Sequence, residues 1–128
     1  MRIRPLFVYG TLRRSRGRQN PLLRRARFIQ RASMSGELYD LGEYPGAYRR
    51  SRSRHRIFGE LYALPDDNPL KVVAALDHYE GREFERRQVW VTLADGSRRA
   101  AWAYLLRRRP VAGRVIPSGR YHARRGAA

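Results

Sequence analysis

The chain has 128 residues, 42% hydrophobic and 30% charged, with 28 basic residues against 11 acidic ones and a formal charge of +17. Cysteine is absent, which excludes disulfides, thiolate metal sites, iron–sulfur clusters and a cysteine nucleophile. The length fits one domain, expected over residues 1–122, and the apolar content suffices for one modest core. His55, His78 and His122 are widely separated, so a histidine metal centre is not expected. The longest apolar run, residues 100–106, is far short of a membrane span. Leu6, Phe7 and Val8 after Arg2 and Arg4 are too few for a signal-peptide core, so a cytoplasmic location is expected. Lys71 is the sole lysine. Such lopsided arginine usage, with abundant alanine, is what a GC-rich genome writes wherever a basic residue is tolerated. The resulting field attracts polyanions, but only nonspecifically.

Taken in chain order, Leu6-Phe7-Val8-Tyr9 reads as a buried strand that ends in a turn at Gly10. Residues 12–27 are arginine-dense, and Pro21-Leu22-Leu23 reads as one helical turn. Residues 27–35 and 37–40 read as two strands separated by Gly36. Tyr44-Pro45-Gly46-Ala47 is a turn signal, and residues 49–56 form a basic, serine-rich loop or hairpin tip. A strand over residues 57–64 contains Gly59, a residue that marks a bulge or a close backbone approach. Asp66-Asp67-Asn68-Pro69 then caps a helix that runs to Glu80 and stops at Gly81. Its apolar stripe is read as Leu70, Val73, Ala74 and Asp77, with Val72, Leu76 and Tyr79 beside it. Residues 84–93 and 99–106 are strands joined by a hairpin turn at Asp95-Gly96. Pro110 opens a proline- and glycine-bearing tail, and residues 123–128 are expected to fray. The sum is an α+β domain: a small, mostly antiparallel β-barrel with one main helix and short flanking helices.

Two stretches can carry chemistry. Glycine after a buried strand lets the backbone turn sharply and present successive N–H groups. At Tyr9-Gly10-Thr11-Leu12 such a nest suits a carboxylate or phosphate, with the Thr11 hydroxyl as a further donor. An ordinary strand-ending turn has the same sequence. Glu80 sits at a helix C-terminus, where the dipole disfavours its charge, and Leu76 and Tyr79 would desolvate it. Both effects raise a carboxyl pKa toward the range of a general base. The alternative is a solvated carboxylate paired with Arg82 or Arg86. If a ligand site exists, it is expected where the Gly10 turn and the Glu80 helix end converge.

In combination these motifs resemble the γ-glutamylcyclotransferase-like family, which includes γ-glutamylamine cyclotransferase and the AIG2-like proteins. The resemblance rests on the order and spacing of Tyr9-Gly10-Thr11-Leu12, Leu76-Asp77-x-x-Glu80-Gly81 and Phe84-x-Arg86. Gly36-Glu37-Leu38-Tyr39, Tyr44-Pro45-Gly46-Ala47, Gly59-Glu60-Leu61-Tyr62, Trp102-x-Tyr104 and Ile116-Pro117-Ser118-Gly119 extend it over nearly the whole chain. It implies a small barrel with a cavity at its mouth. The backbone amides of Tyr9, Gly10, Thr11 and Leu12 would hold a glutamyl carboxylate, and Glu80 would be the acid/base. It implies no metal and no cofactor. Phe84 stands where the family often has tyrosine, and the many arginines are not a family trait.

The implied reaction is intramolecular acyl transfer: the α-amine of a γ-glutamyl group attacks its own γ-carbonyl and releases 5-oxoproline. A small-molecule γ-glutamyl compound is therefore the expected partner. The alternatives are an arginine-rich nucleic-acid-binding barrel, motivated by residues 13–31 and 49–56, and a family-fold protein that acts on or binds a different γ-glutamyl compound.

Overall fold

The structure is a computed structural model that describes residues 4–50, 53–111 and 113–122. Its strands are β1 (Leu6–Val8), β2 (Arg27–Asp40), β3 (Pro45–Arg49), β4 (Arg56–Ala63), β5 (Phe84–Leu93), β6 (Arg98–Leu106) and β7 (Arg114–Val115). Helix α1 spans Pro69–Glu80, and a 3-10 turn covers Pro21–Leu23. The strand order β2–β4–β1–β6–β5 closes when β5 pairs back onto β2 through Ala32↔Leu93 and Ser33↔Thr92. The result is a five-stranded barrel in which only the β1–β6 contact is parallel. Among the described residues no helix is long and apolar enough to cross a membrane, and no group of three or more metal-ligating side chains is assembled.

The apolar run of β1 is explained by burial on both faces. Phe7 and Tyr9 point into the barrel with Met34, Ile57, Leu61 and Val91. Leu6 and Val8 alternate outward, into a second core with Leu23, Tyr62, Leu76 and Tyr104. Helix α1 lies on that second core through Val73 and Leu76, and Leu76 is 0% exposed. Burying a leucine side chain fully contributes roughly 1.5–3 kcal/mol.

Several expectations change in three dimensions. Residues 27–40 are one continuous strand, because Gly36 bends it rather than breaking it. A β-carbon there would sit 2.8 Å from the Tyr48 carbonyl oxygen, and the residue has φ +155°. The strand thus leaves the barrel at Gly36 and pairs with β3 and β7 instead. Tyr44-Pro45-Gly46-Ala47 is not the turn. Leu41 N–H closes the turn onto the Tyr44 carbonyl, and Pro45 starts edge strand β3, where its missing N–H costs no ladder bond. In α1 the buried stripe is Val73 and Leu76 with half-buried Val72 and Glu80, whereas Leu70, Ala74 and Asp77 are exposed. Proline does occupy the first turn, but Asn68 makes no side-chain cap bond and sits in the left-handed region at φ 54°. The tail is integrated: β7 pairs with β2, and Tyr121 is buried against the barrel core. The expected short flanking helices reduce, among the described residues, to the 3-10 turn. Residues 123–128, expected to fray, lie outside the described residues.

Candidate active site

A cavity of about 370 Å³ opens where β1 ends. Gly10, Thr11 and Leu12 form one wall of it, and Tyr79 and Glu80 at the end of α1 form another. Both candidate stretches therefore face the same hollow. The turn is closed by Arg13 N–H donating to the Gly10 carbonyl at 3.1 Å. None of the hydrogen bonds among the described residues uses the N–H groups of Thr11 or Leu12. Gly10 is held tightly here, since a β-carbon on it would meet Pro45 Cγ at 2.7 Å. The Thr11 and Tyr79 hydroxyls lie 3.3 Å apart and link the turn to the helix.

Tyr9 lines the cavity, but its hydroxyl is engaged elsewhere. That group donates to the Tyr104 carbonyl at 2.6 Å and accepts from Ala47 N–H at 3.1 Å, joining β6 to β3 beneath the cavity. Burial raises its pKa further from neutrality. The Leu12 side chain is buried in the core under α1. Tyr9 and Leu12 thus anchor the turn, whose residues line the cavity.

Glu80 is half-buried and has no ion pair or hydrogen bond among the described residues. The pairing with Arg86 does not form, because Arg86 Nε reaches Asp77 at 3.1 Å. The Tyr104 hydroxyl also donates to Asp77, at 2.5 Å, so the Asp77 carboxylate gathers the polar groups closest to it. Arg82 forms no ion pair among the described residues either; its carbonyl accepts from Arg107 Nε. Desolvation without compensation pushes the Glu80 carboxyl from 4.5 up to about 7. Burial is the cause; the helix dipole is not required.

The sequence reading missed Glu43, Tyr44, Pro45 and Tyr104 as cavity residues. Tyr44 packs against Phe84 with ring centroids 6.0 Å apart, and its hydroxyl donates to Glu83, which raises it to about 12. The signal available was the run Glu43-Tyr44-Pro45, but local turn propensity obscured its place beside β1. Phe84 itself is buried against the cavity, so the position that often carries tyrosine in the family presents an apolar edge here.

A closed five-stranded barrel whose β1 turn and helix-end carboxyl Glu80 line one cavity fits the class of γ-glutamylcyclotransferase-like barrels. The comparisons agree. The family model described as Gamma-glutamyl cyclotransferase, AIG2-like, matches residues 6–123, and the chain belongs to this family. The Gamma-glutamylcyclotransferase family protein YtfP of Escherichia coli strain K12 is 34% identical over 116 residues, covering 89% of this chain and 92% of that protein. The solution structure of ytfP from Escherichia coli superposes with a TM-score of 0.61 at 30% identity, over 91% of this chain and 95% of that one. An AIG2-like protein from Mus musculus gives a TM-score of 0.75 at 20% identity, over 93% of this chain and 88% of that one, a likeness of fold.

Proposed function

We propose that the chain converts a γ-glutamyl amide into 5-oxoproline and a free amine, with Glu80 as general acid/base and the turn at residues 9–12 as the carboxylate cradle. The observation that carries this reading is a desolvated Glu80, without an ion pair among the described residues, lining the same cavity as the turn.

The chemistry asks little of the protein because the nucleophile belongs to the substrate. The substrate α-carboxylate rests on the turn N–H groups, which places the α-ammonium toward Glu80. Glu80 takes a proton, and the neutral amine attacks the γ-carbonyl carbon. A nitrogen–carbon bond forms and closes a five-membered ring. The carbon–nitrogen bond to the leaving amine breaks as Glu80 delivers a proton to that nitrogen. Two protons pass from the first nitrogen to the second in all, so the amine departs as an ammonium ion and Glu80 ends as it began. A carboxyl at about 7 is well suited to this relay, since a reference α-amine titrates at roughly 8 and the proton moves between nearly matched groups. Orienting an intramolecular attack can supply about 7–11 kcal/mol, and proton transfer adds about 10²- to 10⁴-fold. The balance calls for neither metal nor cofactor.

The test is a panel of γ-glutamyl alkylamides, γ-glutamyl dipeptides and glutathione, with 5-oxoproline as the readout. Wild-type protein is expected to release it from at least one member, and Glu80→Gln to lose at least about 10²-fold in kcat. Equal rates for the two proteins would overturn the assignment. Family membership does not favour the nucleic-acid alternative.

A further inference from the structure

We propose that a second cleft, which shares no lining residue with the cavity described above, binds an acidic, extended segment of another protein, added as a strand to the free edge of β5.

The cleft exists because two strands part. β5 pairs with β2 through Leu93↔Ala32 and Thr92↔Ser33 and no further. The ladder would continue through Val91 and Met34 to Trp90 and Ser35, but β2 bends at Gly36 to pair with β3. A hollow of about 630 Å³ is left, with Met34 and Ser35 from β2 and Val89 and Trp90 from β5 in its walls.

The backbone of β5 has a definite orientation there. Trp102 N–H donates to the Pro5 carbonyl at 2.8 Å, on the β1 side of β6. Trp102 stands opposite Gln88 in the β5–β6 ladder, so this rung is one without hydrogen bonds, and Gln88 turns its N–H and carbonyl away from β6. Trp90, two residues on, does the same. In agreement, Arg49 Nη1 donates to the Gln88 carbonyl at 3.2 Å from the β3 side of the cleft. Among the described residues, no strand pairs with Gln88 or Trp90 on this side. An edge of this kind is a template for a further strand.

Charge selects the occupant. Arg49, Arg50 and Arg98 line the cleft, and among the described residues no acidic side chain does. Arg49 and Arg98 have no ion pair among the described residues. Arg98 stands over the ring of Trp90, 5.5 Å from its centroid, and Trp90 is 55% exposed. Arg50 shares Glu37 with Arg109, so that carboxylate keeps a cation if Arg50 turns to a ligand. A second copy of this chain would bring +17 against +17. A nucleic acid would satisfy the charge but not the edge, whose N–H and carbonyl groups match a peptide backbone. Residues of the added strand that face inward would rest on Met34 and Val89, both part of the barrel core. Those facing outward would lie beside Trp90 and the arginines. The pattern recognised is therefore acidic residues alternating with small apolar ones.

The experiment titrates the full chain into a fluorescein-labelled peptide of about seven residues, alternating aspartate and valine, and reads anisotropy at about 0.15 M salt. Binding is expected, and it should weaken about tenfold for a copy methylated at its backbone nitrogens, which keeps the charge and loses the donors. Arg49→Glu and Arg98→Glu should each weaken the unmethylated peptide by about three- to tenfold. Thermal unfolding checks that these exposed substitutions leave the fold intact, and the methylated copy tests the wild type whether or not they do. Equal binding of the methylated copy would reduce the effect to charge attraction. Equal or tighter binding of an oligothymidylate of the same charge would put nucleic acid in the cleft, and a dimer of the chain that the peptide dissociates would put a second copy there. Each of these results overturns the proposal, as does an affinity unchanged in both variants or no binding at all.

Discussion

Glu80 owes its partial burial to helix period. It lies four residues after Leu76 and seven after Val73, so it shares their buried stripe rather than the solvent face. That position has a stability cost whose sign can be worked out. Below about pH 4.5 the carboxyl is protonated in both folded and unfolded chains, and there is no penalty. Between about 4.5 and about 7 the unfolded chain gives up its proton first, so stability falls as pH rises, and above that it is level. With partial exposure discounted, the loss is on the order of 1–3 kcal/mol. Glu80→Gln should therefore unfold at higher urea than the wild type at pH about 8 and show no such advantage at pH about 4. A variant less stable than wild type at both values would refute the buried-carboxylate picture. Tyr9 works in the opposite sense. Tyr9→Phe strands a buried carbonyl and a buried N–H, and urea unfolding should show a loss of about 2–4 kcal/mol.

At the scale of elements, the strands and the helix were legible wherever local pattern and tertiary demand coincide. Leu6-Phe7-Val8, the Asp95-Gly96 hairpin, and α1 between Pro69 and Gly81 all follow from propensity and period. Reading failed where pairing is nonlocal. Gly36 is a local strand breaker, yet β4 on one side and β3 on the other hold residues 27–40 in one extended run. Tyr44-Pro45-Gly46-Ala47 has turn residues, yet it pairs with β2 and packs so closely on β6 that a β-carbon at Gly46 would lie 2.6 Å from Leu106 Cδ1. The stripe on α1 was misplaced by including Leu70, which is 65% exposed. Of the candidate site, the turn and Glu80 were legible from motif order. Glu43, Tyr44 and Tyr104 were not, because their place depends on β2, β3 and β6 meeting in space. Gly59 tests this packing. A β-carbon there would lie 2.2 Å from the Val8 carbonyl oxygen, so Gly59→Ala must separate β1 from β4. The expected cost is about 2–4 kcal/mol in urea unfolding, with cyclotransferase activity falling because β1 carries the turn.

At the scale of the molecule, closure through β2 and β5 brings the end of β1 beside the end of α1, residues some seventy positions apart in sequence. Among the described residues, no arginine lines the cavity. A formal charge of +17 also repels itself across a small barrel. Raising ionic strength from about 0.05 to 0.5 M should therefore increase Tm by a few degrees, as the Debye length shrinks below the spacing of surface charges. Affinity for oligonucleotides should fall steeply over the same range and show no preference over other polyanions. A Tm that fell with salt would mean that ion pairs such as Glu37 with Arg50 and Arg109 outweigh the repulsion.

The central claim is that an uncompensated buried carboxyl drives the reaction, and the pH dependence of kcat on a γ-glutamyl alkylamide tests it most directly. The account predicts a rate that climbs about tenfold per pH unit below an apparent pKa of about 7, levels off above it, and is lost in Glu80→Gln. A rate independent of pH between about 5 and 8, or an unchanged profile in the variant, would contradict it.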